Sequence, residues 1–354
     1  MRQSTDNRAP VLVPSALAQK LLAFYNYPDP RRRGRTIRGY DRPHALRTAR
    51  MCATVARRLG HPDARLYSYQ IACLLHDLGR AGLDQKLFGT IWSWARRQGI
   101  PTRPREWRTV HPQTRYGRET EAFLARYHDE LAQLRIPIDP WTREQVEMRL
   151  GYARRLARQL RAVKPKLAAL GVKWRPWMQR VMLYYYYPEK LKTAPAWVRE
   201  LAEVLVACEQ FEAYSNRERG RDYYTRNKEQ LSEAFAYLEK LRGEQILSER
   251  VLSALCQSAA EGDFDRILTE ARGVALSSAE TKYLRSLAST GKSARLSKRR
   301  LAETSRLLNR ARAPKKPPLS GGARGKGSVL ADPGWEGEIR AGVIASKSSR
   351  MRKP

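Results

Sequence analysis

Apolar residues recur at intervals of three and four through most of the first 310 positions. That spacing gathers them on one face of an α-helix, while the alternation of a β-strand and the Asn-Gly or Asp-Gly turns of hairpins are nearly absent. The pattern predicts an all-α chain with helices over 15–25, 44–59, 64–78, 87–97, 114–134, 142–170, 176–186, 196–214, 228–242 and 248–259. Breaks are expected where Gly and Pro cluster, at 28–39, 60–62, 99–104, 137–140 and 188–195. The first break carries the run Arg31-Arg32-Arg33-Gly34-Arg35, a basic loop ahead of the core.

The periodicity fades toward the C-terminus. From Val274 onward there are 19 Lys or Arg against 5 acidic residues, with two short helical stretches followed by a segment rich in Pro, Gly, Ser, Lys and Arg. Such a composition buries too little apolar surface to offset its ordering entropy, so the last ~40 residues are expected to be disordered. The 354 residues are enough for one sizeable core with appendages. The expected organisation is a basic N-terminal segment (1–37), a central domain (38–258) with a helical insertion at about 130–175, a short helical extension (259–312) and a basic disordered tail (313–354).

Charge changes the picture more than length does. Lys and Arg number 68 against 35 acidic residues, a formal net charge of +33, which creates a field that attracts nucleic acid, nucleotides or other polyanions without choosing among them. A solvated Arg-rich surface accounts for the same numbers. The four cysteines, Cys52, Cys73, Cys208 and Cys256, are widely spaced, lack a C-x-x-C pair and sit in apolar runs, which points to reduced thiols and a cytoplasmic protein. No window approaches the ~18 apolar residues needed to span a bilayer, and the N-terminus does not read as a signal peptide.

Only five histidines occur. His76 and Asp77 stand side by side at the polar end of the apolar run Ile71-Ala72-Cys73-Leu74-Leu75, a nitrogen and an oxygen donor suited to Zn²⁺, Mn²⁺, Fe²⁺ or Co²⁺. His44 follows Pro43 at the expected start of a helix. The 32 residues between His44 and His76 suffice for a helix, the Gly60-His61-Pro62 turn and a second antiparallel helix, so His44 and the doublet can meet at one end of a hairpin. His111 is expected to head a further helix and to offer a third imidazole. His61 is most simply a surface residue, and His128 belongs to an exposed His-Asp-Glu helix end. Taken singly, each histidine could equally be a polar core or cap residue.

His44 within H-x-x-R-x-A, the run Ala72-Cys73-Leu74-Leu75-His76-Asp77-Leu78-Gly79-Arg80, and Glu106-Trp107 with His111-Pro112 and Gly117 together resemble the successive motifs of the HD superfamily of metal-dependent phosphohydrolases. Within it the chain is most similar to the HD-GYP class, whose members hydrolyse cyclic di-GMP. The later run Val206-Ala207-Cys208-Glu209-Gln210-Phe211-Glu212-Ala213-Tyr214-Ser215-Asn216-Arg217 resembles the helix of that class bearing its last metal-binding aspartate. The likeness spans roughly 38–255.

The resemblance implies an HD-domain helical bundle in which His44, His76, Asp77, His111 and Glu209 hold a divalent ion (Mn, Fe, Zn or Co), Asp77 being the bridging ligand. It places Arg80 where many members have a phosphate-binding lysine. It also shows departures. Glu209 replaces an aspartate, and the paired histidines and Gly-Tyr-Pro of the class are replaced by Tyr184-Tyr185-Tyr186-Tyr187-Pro188. Phenols are weak ligands at neutral pH because their pKa is ~10, so one ion is expected rather than two or three. The implied activity is metal-dependent hydrolysis of a nucleotide or cyclic (di)nucleotide, with Asp77 and Arg80 as catalytic residues. Two alternatives stay open: a degenerate, non-catalytic HD-GYP-like signalling or nucleotide-binding module, and a nucleic-acid-associated basic protein. The tyrosine run with Trp174 and Trp177 is also compatible with base stacking.

Overall fold

A helix with an apolar stripe must bury it against a neighbour, and the chain does so with fifteen α-helices among the described residues. The computed structural model describes residues 12–186, 191–216 and 231–287; all lie in the first of two units, Met1–Leu296 and Ser297–Pro354. The expected disordered tail lies outside the described residues.

In chain order the helices are α1 (Ser15–Leu22), α2 (Arg42–Arg58), α3 (Asp63–Leu74), α4 (Gln85–Arg97), α5 (Pro104–Val110), α6 (Glu119–Arg126), α7 (His128–Gln133), α8 (Pro140–Leu150), α9 (Tyr152–Ala169), α10 (Pro176–Leu183), α11 (Ala196–Ser215), α12 (Leu231–Gly243), α13 (Glu249–Glu261), α14 (Asp265–Arg272) and α15 (Ser278–Ser286). Short 3₁₀ turns cover Ala23–Tyr25 and Leu78–Arg80. The first break closes as a small antiparallel pair, β1 (Tyr27–Pro28) and β2 (Thr36–Ile37), with Tyr27 opposite Ile37. The fold is all-α apart from this pair.

Two apolar clusters form. The larger draws on α1 to α3 and α9 to α15, with Leu21, Met51, Leu66, Leu156, Phe211 and Phe264 buried in it. α11 is its centre, buried on almost every side. Phe264, Ile267, Leu268 and Leu284 join this core, as do Val13 and Tyr25, so neither the expected boundary at 258 nor that at 37 is a packing boundary. The smaller cluster is built by α4 to α8 around Trp92, Trp107 and Phe123.

Several expected helices are shorter or divided. The one over 64–78 ends at Leu74. The one over 114–134 breaks into α6 and α7 at Tyr127, and the one over 142–170 breaks into α8 and α9 at Gly151. His111 closes α5 rather than heading a helix. Periodicity survives such breaks because a one-residue kink displaces the apolar stripe by less than its own width.

Candidate metal centre

α2 and α3 pack as an antiparallel hairpin, turned at Gly60, whose φ of 88° lies in the left-handed region that favours glycine. Pro43 occupies the first turn of α2, where a missing N–H costs nothing, and His44 follows it into the interior. At the far end of α3 the backbone bonds tighten to the i−3 kind, Leu75 N donating to Ala72 O and His76 N to Cys73 O. His76 and Asp77 therefore stand in a turn just past α3. Tyr25 clamps that turn: its hydroxyl donates to Leu74 O (3.1 Å) and accepts from Asp77 N (3.2 Å). Burial, with the Asp77 charge beside it, pushes the Tyr25 phenol well above its ordinary pKa, so it stays a donor.

His44, His76 and Asp77 converge, all buried, with one donor atom from each within 4.8 Å of the others. Asp77 Oδ2 is 3.7 Å from His44 Nε2 and 3.8 Å from His76 Nε2. The hydrogen bonds determine which ring nitrogens carry protons. His76 Nδ1 lies 2.7 Å from the Cys73 carbonyl, which can only accept, so in the neutral ring Nε2 is a bare lone pair. That Nε2 is buried and has no hydrogen-bond partner among the described residues. His44 Nδ1 faces the carboxylate of Glu212, another acceptor, so its Nε2 is likewise the basic nitrogen. A carboxylate behind a liganding imidazole sets tautomer and ring orientation in this way.

The donors fit a first-row divalent ion. With bonds of ~2.1 Å, neighbouring ligand atoms stand about 3.0–3.4 Å apart, so the three donors, 3.7 and 3.8 Å apart across Asp77 and all within 4.8 Å of one another, would have to draw together around it. The opposing observation is Arg80, whose Nη1 donates to the same Asp77 Oδ2 at 2.7 Å.

The start of α9 supplies the flank of the site. Tyr152 donates to the His76 carbonyl (2.7 Å), lies 3.3 Å from Asp77 Oδ1, and passes so close to Gly79 that a Cβ there would meet its ring at 2.7 Å. Arg155, fully buried, donates to Gly79 O (2.7 Å) and Ala81 O (2.6 Å) and pairs with Glu144. Burial pushes its pKa down to about 10, which leaves it charged at neutral pH. Arg47, from the H-x-x-R stretch, reaches Glu212 at 2.6 Å, and Asn216 donates to the same carboxylate at 3.3 Å.

The two remaining expected ligands are not brought to this cluster. His111 packs against Trp107 (4.3 Å between ring centres) beside the smaller core, its Nε2 buried without a hydrogen-bond partner among the described residues. The carboxylate that α11 delivers to His44 is Glu212, one turn beyond Glu209; Glu209 is half-buried and interacts electrostatically with Tyr185. Tyr184 is a core residue donating to Ile246 O (2.8 Å), Tyr185 shares a hydrogen bond with Tyr237 (2.8 Å), and Tyr186 stacks on Tyr152 (4.7 Å). Tyr187 and Pro188 lie outside the described residues. Trp174 and Trp177 pack against the larger core. His128 is exposed beside Asp129, whereas His61, expected at the surface, is buried against Glu200 (2.9 Å).

Comparisons with protein-family models, characterised proteins and solved structures return no match.

Glu212, Tyr152 and Arg155 carry weak signals in the sequence. α11 carries four glutamates, and whichever is buried needs a partner, but which one that is, and that its partner His44 lies 168 residues away, is not local information. Tyr152 and Arg155 sit in a basic amphipathic helix whose charges read as solvated.

His61 and His111 make a pH prediction. Burial lowers both pKa values; Glu200 partly opposes this at His61 and Arg65 adds to it, while Arg126 adds to it at His111. The unfolded chain, with values near ~6.5, therefore binds protons that the folded chain refuses. These two residues contribute a stability that falls as pH drops through ~6.5 and stops falling below the folded values. Ring-proton NMR titration should show both midpoints below ~6.5; a midpoint at or above that value for either ring contradicts the burial argument.

Proposed function

We propose that the chain is an HD-type metal-dependent phosphohydrolase acting on a nucleotide or cyclic nucleotide. The observation that carries this reading is the buried, unpartnered His76 Nε2 beside His44 Nε2 and Asp77 Oδ2. Leaving such an acceptor unpaired costs about 1–3 kcal/mol, and a cation shared with the second imidazole and the carboxylate would relieve it. A divalent ion bound there would supply Lewis-acid polarisation of a phosphoryl oxygen and a water nucleophile at neutral pH. The residues of the chain do the rest. Tyr25, Tyr152 and Arg155 hold the doublet turn in place, Glu212 holds His44 with Nε2 inward, and Arg80, partly exposed beside Asp77, offers a guanidinium to the substrate phosphate.

A second reading, nucleotide binding without turnover, is supported by Arg80 already donating to the oxygen that the ion would use and by tyrosines standing in place of the paired histidines.

Metal content of the purified protein, measured with turnover of bis-p-nitrophenyl phosphate, tests both. One ion per chain with turnover is expected for the wild type, and both should fall at least tenfold in the H76A/D77A double variant. Metal without turnover supports the second reading. Substoichiometric metal after incubation with Mn²⁺, Fe²⁺, Co²⁺ and Zn²⁺ overturns the metal centre.

A further inference from the structure

A cleft of about 540 Å³ opens between the hairpin turn, β2, and the starts of α2 and α4, lined by Arg31, Arg38, Tyr40, Arg42, Asp84 and Gln85 among others. The volume lies within the ~300–1,000 Å³ of ordinary small-molecule sites. We propose that this cleft binds a phosphate or pyrophosphate group of a small ligand, independently of the metal centre.

Three guanidinium groups face one carboxylate, that of Asp84. Asp84 is already engaged: it pairs with Arg31 (2.8 Å), accepts from Trp141 Nε1 (3.3 Å) and caps α4 through Leu87 N (3.1 Å). Arg31 is held in turn by Asp29 (3.3 Å) and lies over the Trp141 ring. Arg42 donates to neutral amides, Asn26 at 3.4 Å and Gln19 at 3.5 Å, and Arg38 is exposed with no ion pair among the described residues. Two cationic forks therefore remain uncompensated in one concavity, although carboxylates elsewhere on the chain are extensively paired with arginine.

The N-terminal turns of α2, 17 residues long, and α4, 13 residues long, both border the cleft. Asp84 already caps α4, whereas the N-terminal turn of α2 has no side-chain cap and adds positive potential beside Arg38 and Arg42. Arg presents parallel N–H groups that match two phosphate oxygens, so Arg38 and Arg42 suit a phosphoryl group better than a lone halide or a monodentate anion.

Calorimetric titration of the full chain with sodium pyrophosphate, in EDTA and moderate salt, tests this. A Kd below about 1 mM is expected for the wild type. The R38A/R42A variant should bind at least tenfold more weakly, and R38A alone, which removes only an exposed side chain, at least threefold. The R118A/R266A variant loses the same charge from exposed sites elsewhere and should change binding less than twofold. Equal weakening in the two double variants would show a diffuse field in place of a site and overturn the proposal, as would no binding by the wild type. ADP binding more tightly than pyrophosphate would make the ligand a nucleotide; equal binding would make it a free phosphate or polyphosphate. Because EDTA is present, H76A should bind pyrophosphate as the wild type does, so failure here and failure of the metal centre are separately visible.

Discussion

Replacing Glu212 by alanine is expected to cost about 3 kcal/mol of folding stability and to weaken metal binding by roughly 10–100-fold. The side chain is completely buried and contacts His44, Arg47 and Asn216 at once. Removing one member of a buried ionic network strands the others, at a cost of about 3–5 kcal/mol. The lower figure is appropriate because Arg47 retains some access to water, its side chain being 11% exposed. For a unit of this size such a loss lowers Tm by roughly 6–12 °C, readable by urea and thermal denaturation. The loss of affinity has a separate origin. Without the carboxylate, His44 Nδ1 has no charged acceptor, and the ring is no longer held with Nε2 toward Asp77. E212Q keeps shape and one acceptor, so it should recover stability more than metal affinity. An unchanged melt in E212A would show that the network is not formed.

The second large effect is expected at Arg155. R155A removes the donor to the Gly79 and Ala81 carbonyls and the partner of Glu144 in a fully buried position. A loss of about 3–5 kcal/mol follows, because two buried backbone acceptors lose their donor and the space of a large side chain is left empty, whereas Glu144, 28% exposed, keeps Arg158 at 3.3 Å. R155K should recover little. A single ammonium cannot span two carbonyls and a carboxylate as the planar guanidinium does. The variant also frees the turn bearing Asp77 and Arg80, so metal retention should fall although Arg155 touches none of the ligands. Stability within 1 kcal/mol of wild type would mean that the turn is held by Tyr25 and Tyr152 alone.

Both predictions concern residues that local pattern does not reveal, and the contrast with His44, His76 and Asp77 explains why. Those three are legible because their placement follows from short-range rules. Helical periodicity locates α2 and α3, Gly60 and Pro62 locate the turn between them, and antiparallel packing of consecutive helices returns Asp77 to the level of His44. The same rules identify the all-α class. They are silent on the rotational setting of one helix against another that follows much later in the chain. Glu209 and Glu212 are one helical turn apart on α11, equally acidic and equally compatible with a ligand or its support. Only the docking of α11 on α2 decides that Glu212 reaches His44. His111 is similar. Its motif spacing suggests convergence, yet α5 ends at Val110 and packs into the Trp107 and Phe123 cluster, which carries the ring away from the doublet.

The sequence by itself determined the helical class and the hairpin of α2 and α3 that can bring His44 to His76 and Asp77, because hydrophobic period, Gly and Pro breaks and helix ends act over a few residues; it left His111 and Glu209 beside them as equal candidates. The tertiary structure decided that the carboxylate behind His44 is Glu212, that Tyr152 and Arg155 brace the doublet, that Arg80 lies on Asp77, and that Arg31, Arg38 and Arg42 share one cleft. Such contacts join residues far apart in the chain, and their geometry follows from how whole helices pack, which no local pattern records.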